Sequence, residues 1–157
     1  MTCGNSVPAT GLIGSLPAEH RARLLSLAHD VAYPGSTRLF EEGGRADRFW
    51  IVRTGTVALD IHVPGRGLAV VETIGTGGLV GWSWLCPPHE WHLGAETRGR
   101  VKAWEFDAAS VLDTCAAHPE FGLTLVTLVA ETIGRRLRAT RTRLLDLYGP
   151  QQGAPTP

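Results

Sequence analysis

The sequence predicts one mainly β domain with flanking helices, in which an antiparallel sandwich or barrel precedes a single long carboxyl-terminal helix. Between residues 31 and 107, short apolar runs alternate with Gly, Pro and Asp about every ten residues, the spacing of short antiparallel strands. From Pro119 to Tyr148 the apolar pattern becomes helical. The 19 glycines and 10 prolines favour tight turns over a helical bundle.

The composition is that of an ordinary globular domain. With 157 residues, 43% hydrophobic and 19% charged, the chain is long enough to bury one core. A formal net charge of +0 provides no whole-chain attraction for nucleic acid or an anionic membrane. No apolar run approaches the ~18 residues that a membrane span requires. Three widely spaced cysteines, Cys3, Cys86 and Cys115, predict reduced thiols and a cytoplasmic location.

The predicted organisation is a flexible tail over 1–14, one domain over 15–148 and a disordered tail over 149–157. Within the domain we expect a helix over 15–28, a β-roll over 31–107 and carboxyl-terminal helices over 108–148. Ser15 is the predicted N-cap of the first helix, because Pro17 lies in the first turn, where a missing N–H costs nothing.

Two hairpins are predicted within the β region. Alternating apolar residues over 56–63 lead through Pro64-Gly65-Arg66-Gly67 into a second apolar run over 68–74. Further along, the runs 91–97 and 100–106 flank Arg98-Gly99 and predict a second hairpin.

Two helices are predicted to close the chain. Residues 108–117 form a short helix that ends before Pro119, and the following helix runs to Tyr148, where Gly149-Pro150 stops it. Its roughly thirty residues span roughly 45 Å. Apolar residues at steps of three or four form a seam along it: Val126, Val129, Ile133, Leu137, Thr140, Leu144 and Leu147. The seam predicts a homodimer through paired helices, or a helix folded back on its own roll.

Residues 40–57, FEEGGRADRFWIVRTGTV, closely resemble the first half of the cyclic-nucleotide-binding domain, the sensor domain of catabolite activator protein-like regulators. The resemblance continues through residues 71–85 and the closing helices, and covers about residues 15–148. It implies a double-stranded β-helix, a jelly-roll or cupin-like barrel, followed by a long carboxyl-terminal helix. It also implies a ligand sensor in signal transduction, in which ligand binding repositions the helix and thereby acts on a partner.

The same resemblance implies where the ligand would bind. In the family, a glutamate follows the glycine equivalent to Gly81, and an arginine lies about ten residues later; here these positions are Trp82 and either Trp91 or His92. In the family, the glutamate accepts a hydrogen bond from the ribose 2′-hydroxyl and the arginine pairs with the phosphate. Losing both of these contacts weakens cyclic nucleotide binding by roughly two to four orders of magnitude. We therefore expect no ordinary binding of cyclic AMP, and a cyclic nucleotide remains only a weak candidate ligand. The candidate cassette residues are Val80, Gly81, Trp82, Ser83, Trp84, Trp91 and His92.

The tryptophans at the cassette allow two interpretations. Trp82, Trp84 and Trp91 could form an apolar pocket that stacks a flat small molecule. They could equally fill the pocket of a structural or protein-interaction module. The sequence names neither the ligand nor the protein partner.

The long helix carries further candidate residues. Residues 135–140, RRLRAT, resemble a family stretch whose threonine touches the ligand, which makes Thr140 and Arg141 candidate lid residues or ordinary packing residues. Five arginines between 135 and 143 form either a nucleic-acid face or a solvated helix face. Because nine residues follow Tyr148, we expect a stand-alone module without the helix-turn-helix domain of related transcription factors, and hence no sequence-specific DNA binding.

Metal binding and catalysis are not predicted. Cys86, His89 and His92 have ligand types at C-x₂-H-x₂-H spacing, but no fourth ligand is evident. The sequence contains no G-x-S-x-G, P-loop or H-E-x-x-H motif. Together with the resemblance to a family of binding domains, this predicts a binding module rather than an enzyme.

Overall fold

The structure is a computed structural model that describes residues 11–149. A six-stranded antiparallel sheet precedes two helices, so the predicted mainly β fold with flanking helices is confirmed. The elements in chain order are α1 (Gly11–Ser15), α2 (Ala18–Leu25), β1 (His29–Tyr33), β2 (Arg38–Phe40), β3 (Arg48–Val63), β4 (Gly67–Ile74), β5 (Leu79–Val80), β6 (Gly94–Asp107), α3 (Ala108–Ala117) and α4 (Pro119–Tyr148).

The sheet is built around its two longest strands. Its order is β1-β6-β3-β4, with β2 also paired to β6 and β5 to β3. Among the described residues β1 and β4 remain edges, so the sheet is not a closed barrel. Residues 49–52 and 57–60 of β3 are all buried. Because successive side chains of a strand point to opposite faces, this strand is covered on both sides and forms the centre of the core.

The first predicted hairpin is confirmed, whereas the second is wrong. Strands β3 and β4 pair from Val57↔Ile74 to Val63↔Gly67 around the predicted turn. The segment 94–107, by contrast, is one continuous strand that pairs along β3. The register shifts near Gly55, whose φ is +94° and whose hypothetical Cβ would lie 2.5 Å from the Arg100 carbonyl oxygen. Arg98-Gly99 therefore lies opposite an irregular, glycine-containing part of β3 and does not reverse the chain.

The predicted amino-terminal tail is too long. Residues 11–15 form a short helix whose Leu12 and Ile13 are buried in the core. Arg21 of α2 donates to the carbonyl oxygens of Ile13 at 3.2 Å and of Leu16 at 3.0 Å. These bonds fix α1 against α2, because they satisfy carbonyls at the carboxyl end of a helix. Of the two predicted tails, residues 1–10 and residues 150–157 lie outside the described part of the chain.

The predicted helix over 15–28 is two helices rather than one. Ser15 is not an N-cap: it ends α1, and its Oγ donates to the Gly11 carbonyl oxygen at 2.9 Å. Pro17 precedes α2 instead, in an extended conformation with ψ at 150°. Proline disfavours helical backbone at the residue before it, which is the physical reason for the break.

The two carboxyl-terminal helices have the predicted bounds, and Asp107 caps the first of them. One carboxylate oxygen of Asp107 accepts hydrogen bonds from the Ser110 backbone N–H at 3.0 Å and from its hydroxyl at 2.8 Å. These two bonds hold the pKa of Asp107 below its ordinary value.

We expect Asp107→Ala to lower the free energy of unfolding by about 1 kcal/mol at neutral pH, the usual effect of losing an N-cap. Because the folded pKa of Asp107 is lowered, its contribution is present above the unfolded pKa and is lost as the pH falls through the folded value. Urea unfolding of wild type and variant at neutral and strongly acidic pH checks this. A difference between the two proteins that did not shrink in acid would contradict the assignment.

Helix α4 has two distinct faces. One packs on the roll: Phe121, Leu125 and Val129 are buried, and further along Arg143 donates to the Val71 carbonyl oxygen at 3.0 Å. On the adjacent face the seam is exposed toward its end, with Leu137 at 49%, Leu144 at 52% and Leu147 at 81%. The alternative of a helix folded back on its own roll thus describes the first part of α4, whereas pairing of two helices through the seam stays a prediction. None of the helices over residues 11–149 is long and apolar enough to span a membrane.

Candidate ligand site

The candidate cassette, residues 80–92, begins where β5 ends beside β3. Gly81 has a φ of +91°, and a Cβ there would lie 2.7 Å from the Trp91 ring, so only glycine fits. The following residues form turns: the Leu85 N–H donates to the Trp82 carbonyl oxygen at 3.1 Å. No helix forms between Gly81 and the start of β6.

Two of the cassette tryptophans belong to the core. Trp84 is buried, stacks on Phe49 with 4.5 Å between ring centroids, and donates its indole N–H to the Gly81 carbonyl oxygen at 3.1 Å. Trp91 is also buried and stacks on Phe40 at 3.8 Å. Such packing of flat rings stabilises the roll beneath the cassette, and both rings are core residues.

The third tryptophan closes the cassette at the surface. Trp82, which is half-buried, stacks on the exposed His92 ring with 5.3 Å between centroids and an interplanar angle of 18°. The His92 Nδ1 atom lies 3.1 Å from the Ser83 Oγ, within hydrogen-bonding distance. We call this arrangement the Trp82–His92 pair.

The space left in the cassette is small. Its volume is about 40 Å³, against the ~300–1,000 Å³ of typical ligand pockets. It has room for water but not for a nucleotide, because roughly 10–15 Å³ of such space already admits one water molecule. The lining residues are Phe40, Leu59, Gly81, Trp82, Ser83, Trp91, His92, Leu93 and Arg136.

Arg136 is a cassette residue that sequence reasoning missed. Its Nη2 donates to the Leu79 carbonyl oxygen, and its Nε lies 3.5 Å from a Glu72 carboxylate oxygen. Burial lowers the pKa of Arg136, and the attraction of Glu72 partly offsets that effect. The signal was its position one heptad after buried Val129, which places both residues on the same helix face.

The other sequence candidates lie outside this cavity. Thr140 and Arg141 are exposed, and the Thr140 hydroxyl donates to the Arg136 carbonyl oxygen at 2.9 Å within the helix. Val80 is buried beside Trp50 of β3.

Cys86, His89 and His92 do not converge. The His89 Nδ1 lies 3.0 Å from the Trp84 carbonyl oxygen, whereas His92 stacks on Trp82. Over the described part of the chain, no three His, Cys, Asp or Glu side chains are placed to share a metal ion. A larger hollow, about 870 Å³, is an open groove lined in part by Trp84 and His89, and neither Trp82 nor His92 lines it.

A buried ion pair lies between β2 and β3 near the cassette. Asp60 is buried, and Arg38 donates to both of its carboxylate oxygens, at 2.7 Å for Nη2 to Oδ1. Arg38 also donates to Glu41 at 2.9 Å. The hydrogen bond to Asp60 raises the pKa of Arg38 well above its ordinary value, so Arg38 stays protonated.

Comparison with protein families supports the resemblance found in the sequence. The model of the cyclic nucleotide-binding domain matches residues 30–118, more than half of the chain. The chain belongs to the cyclic nucleotide-binding domain family. The predicted family is thereby confirmed. The matched region contains the complete cassette and ends just before α4.

Solved structures of this family share the fold. A cyclic nucleotide-binding domain from Methylobacillus flagellatus superposes with a TM-score of 0.78 at 17% identity, covering 88% of this chain and 78% of that one. Thermus thermophilus catabolite activator protein gives 0.72 at 22% identity, with coverages of 88% and 63%. The amino-terminal domain of a transcriptional regulator from Streptomyces coelicolor gives 0.66 at 26% identity, covering 85% and 91%. A search of curated proteins found no match.

Proposed function

We propose that this cyclic nucleotide-binding domain is a regulatory module whose cassette is filled by its own side chains, so that it does not bind cyclic AMP in the usual way. The observation that carries the proposal is the cavity of about 40 Å³ beneath the Trp82–His92 pair. The module acts by binding, without catalysis, and passes its state to a protein partner through α4.

The energetics favour the filled state over a bound nucleotide. Entry of a nucleotide requires Trp82 to leave its place on His92, which exposes apolar ring surface at ~25 cal/mol per Å². No carboxylate and no arginine occupies the two polar positions of the family. Each missing charge-assisted contact removes roughly 1.5–3 kcal/mol. Arg136 is the one guanidinium lining the cavity within residues 11–149, and it is held by Leu79 and Glu72.

Calorimetric titration with cyclic AMP and cyclic GMP tests the proposal. We expect no saturable heat from the wild type at millimolar nucleotide. Trp82→Glu removes the indole and supplies the family's carboxylate. We therefore expect it to bind cyclic AMP at least roughly ten-fold more tightly than the wild type does. Trp82→Ala is the matched control, because it only opens the cavity. Micromolar binding by the wild type would disprove the proposal.

A second candidate function is a sensor for a flat ligand other than a cyclic nucleotide. It is favoured by the surface location of the Trp82–His92 pair, which a ligand could displace without unfolding the core. Adenosine, a neutral flat molecule, is a suitable probe. Saturable quenching of tryptophan fluorescence in the wild type but not in Trp82→Ala would favour this candidate over the filled module.

We further propose that the module is a homodimer through the exposed seam of α4. Leu137 and Leu144 lie on one helix face seven residues apart and are about half exposed. We expect Leu137→Glu/Leu144→Glu to convert a dimer into a monomer in analytical ultracentrifugation, because the charges would have to be desolvated at the interface. Thr142→Glu, at an exposed position on the opposite side of the helix, is the control and should remain dimeric. A monomeric wild type at high micromolar concentration would exclude the dimer.

A further inference from the structure

A second concave site lies beyond Arg136, outside the cassette. It is a cleft of about 220 Å³ between α4 and the turn that leads into β5. Arg136 lines both this cleft and the cassette cavity, so its side chain separates the two. The residues of the cleft used below are Thr76, Gly77, Gly78, Thr132, Arg135 and Arg136.

The cleft concentrates positive charge. The charges of Arg135 and Arg136 repel each other, and this repulsion adds to the burial that lowers the pKa of Arg136. Among the described residues that line the cleft, no side chain is acidic. The nearby carboxylate of Glu72 lies 3.5 Å from the Nε of Arg136, longer than the ~2.7–2.9 Å of a strong charged hydrogen bond. The positive charge is therefore only partly neutralised.

The cleft also has a polar frame suited to oxygen atoms. Arg135 donates to the Thr132 hydroxyl at 3.3 Å, which turns its guanidinium along the helix toward the cleft wall. Thr76 is exposed on the opposite wall and brings a second hydroxyl. Gly77 and Gly78 shape this wall, but their N–H groups already donate to the carbonyl oxygens of Val52 at 2.7 Å and Gly75 at 3.0 Å.

We propose that this cleft binds a phosphate-class oxyanion between the guanidinium groups of Arg135 and Arg136, with the Thr76 hydroxyl as a further donor. Two planar guanidiniums match the oxygen pairs of a tetrahedral anion, and an anion relieves their mutual repulsion. A volume of about 220 Å³ accommodates such a group together with several waters at ~30 Å³ each. The site is separate from the cassette, so it stands whether or not the cassette binds a nucleotide.

Nuclear magnetic resonance titration with inorganic phosphate tests the site, at constant ionic strength maintained with sodium chloride. We expect saturable shifts of the backbone amides of Thr76, Gly77 and Gly78 at millimolar phosphate, with much smaller shifts at Gly81 and Ser83. Arg135→Gln should weaken phosphate binding by about ten-fold, the loss of one charge-assisted contact. Arg135 is exposed, so we expect the variant to remain folded.

Arg141→Gln is the matched control, because it removes the same charge from an exposed position on the same helix. It should leave the phosphate titration unchanged. Shifts that never saturate, or an equal loss of binding in both variants, would show general ionic attraction to α4 and overturn the proposal. Saturable shifts confined to Gly81 and Ser83 would place the anion in the cassette and overturn both this site and the filled cassette.

Discussion

Replacing Trp91 with alanine is expected to lower the free energy of unfolding by about 3–5 kcal/mol, the usual loss for a large aromatic residue in a core. Trp91 is buried, stacks on Phe40 at 3.8 Å and packs over the bare Cα of Gly81. Its removal leaves a cavity that Gly81 cannot fill. Urea unfolding followed by far-ultraviolet circular dichroism measures the change.

Trp82→Ala provides the comparison for this prediction. Its ring is only half-buried and stacks on an exposed histidine, so we expect a loss below about 1.5 kcal/mol. The two variants remove the same side chain from the same cassette. Equal losses would mean that Trp91 is not part of the core, and the division of the cassette into core rings and a surface pair would be wrong.

Asp60→Ala is expected to lower the free energy of unfolding by about 2–4 kcal/mol, because it leaves a partly buried guanidinium without its main partner. Arg38 donates to both oxygens of Asp60 and is only 23% exposed. Glu41, which also accepts from Arg38, retains part of the charge compensation and keeps the loss below that of a fully buried pair. Chemical denaturation at neutral pH checks the value.

An exposed ion pair on the same sheet serves as the control for Asp60. Asp47 and Arg48 are 3.3 Å apart, and their side chains are 53% and 48% exposed. Solvent screens such a pair, so Asp47→Ala should cost less than about 1 kcal/mol. The double variant Arg38→Met/Asp60→Leu should recover much of the stability, since it leaves no unpaired charge. If Asp60→Ala were as mild as Asp47→Ala, the buried pair would not stabilise the roll.

The sequence predicts the fold well where a local residue pattern is typical of only one kind of structure. The turn between β3 and β4 and the bounds of α3 and α4 follow from glycine, proline and apolar spacing, and the structure has them. Arg98-Gly99 is different, because a glycine between apolar runs marks a turn or an irregular position within a strand equally well. Only the pairing of β6 with the whole of β3 decides between them.

The site is less predictable because it depends on contacts between distant residues. The sequence indicates that aromatic side chains replace the polar ones at Trp82 and Trp91. It does not indicate that Trp91 packs on Phe40, 51 residues earlier, while Trp82 stacks on His92. Arg136 was missed for the same reason: its partners, Leu79 and Glu72, are more than fifty residues away along the chain. An arginine-rich helix resembles a solvated face until those partners are known.

The proximity of the Trp82 and His92 rings in the presence of cyclic AMP tests the filled cassette most directly. Nuclear Overhauser contacts between the protons of the two rings report their stacking at 5.3 Å between centroids. We predict that these contacts are present in the free protein and unchanged at millimolar cyclic AMP. Their absence from the free protein, or their loss in step with saturable nucleotide binding, would show that the cassette opens to its ligand and contradict the proposed function.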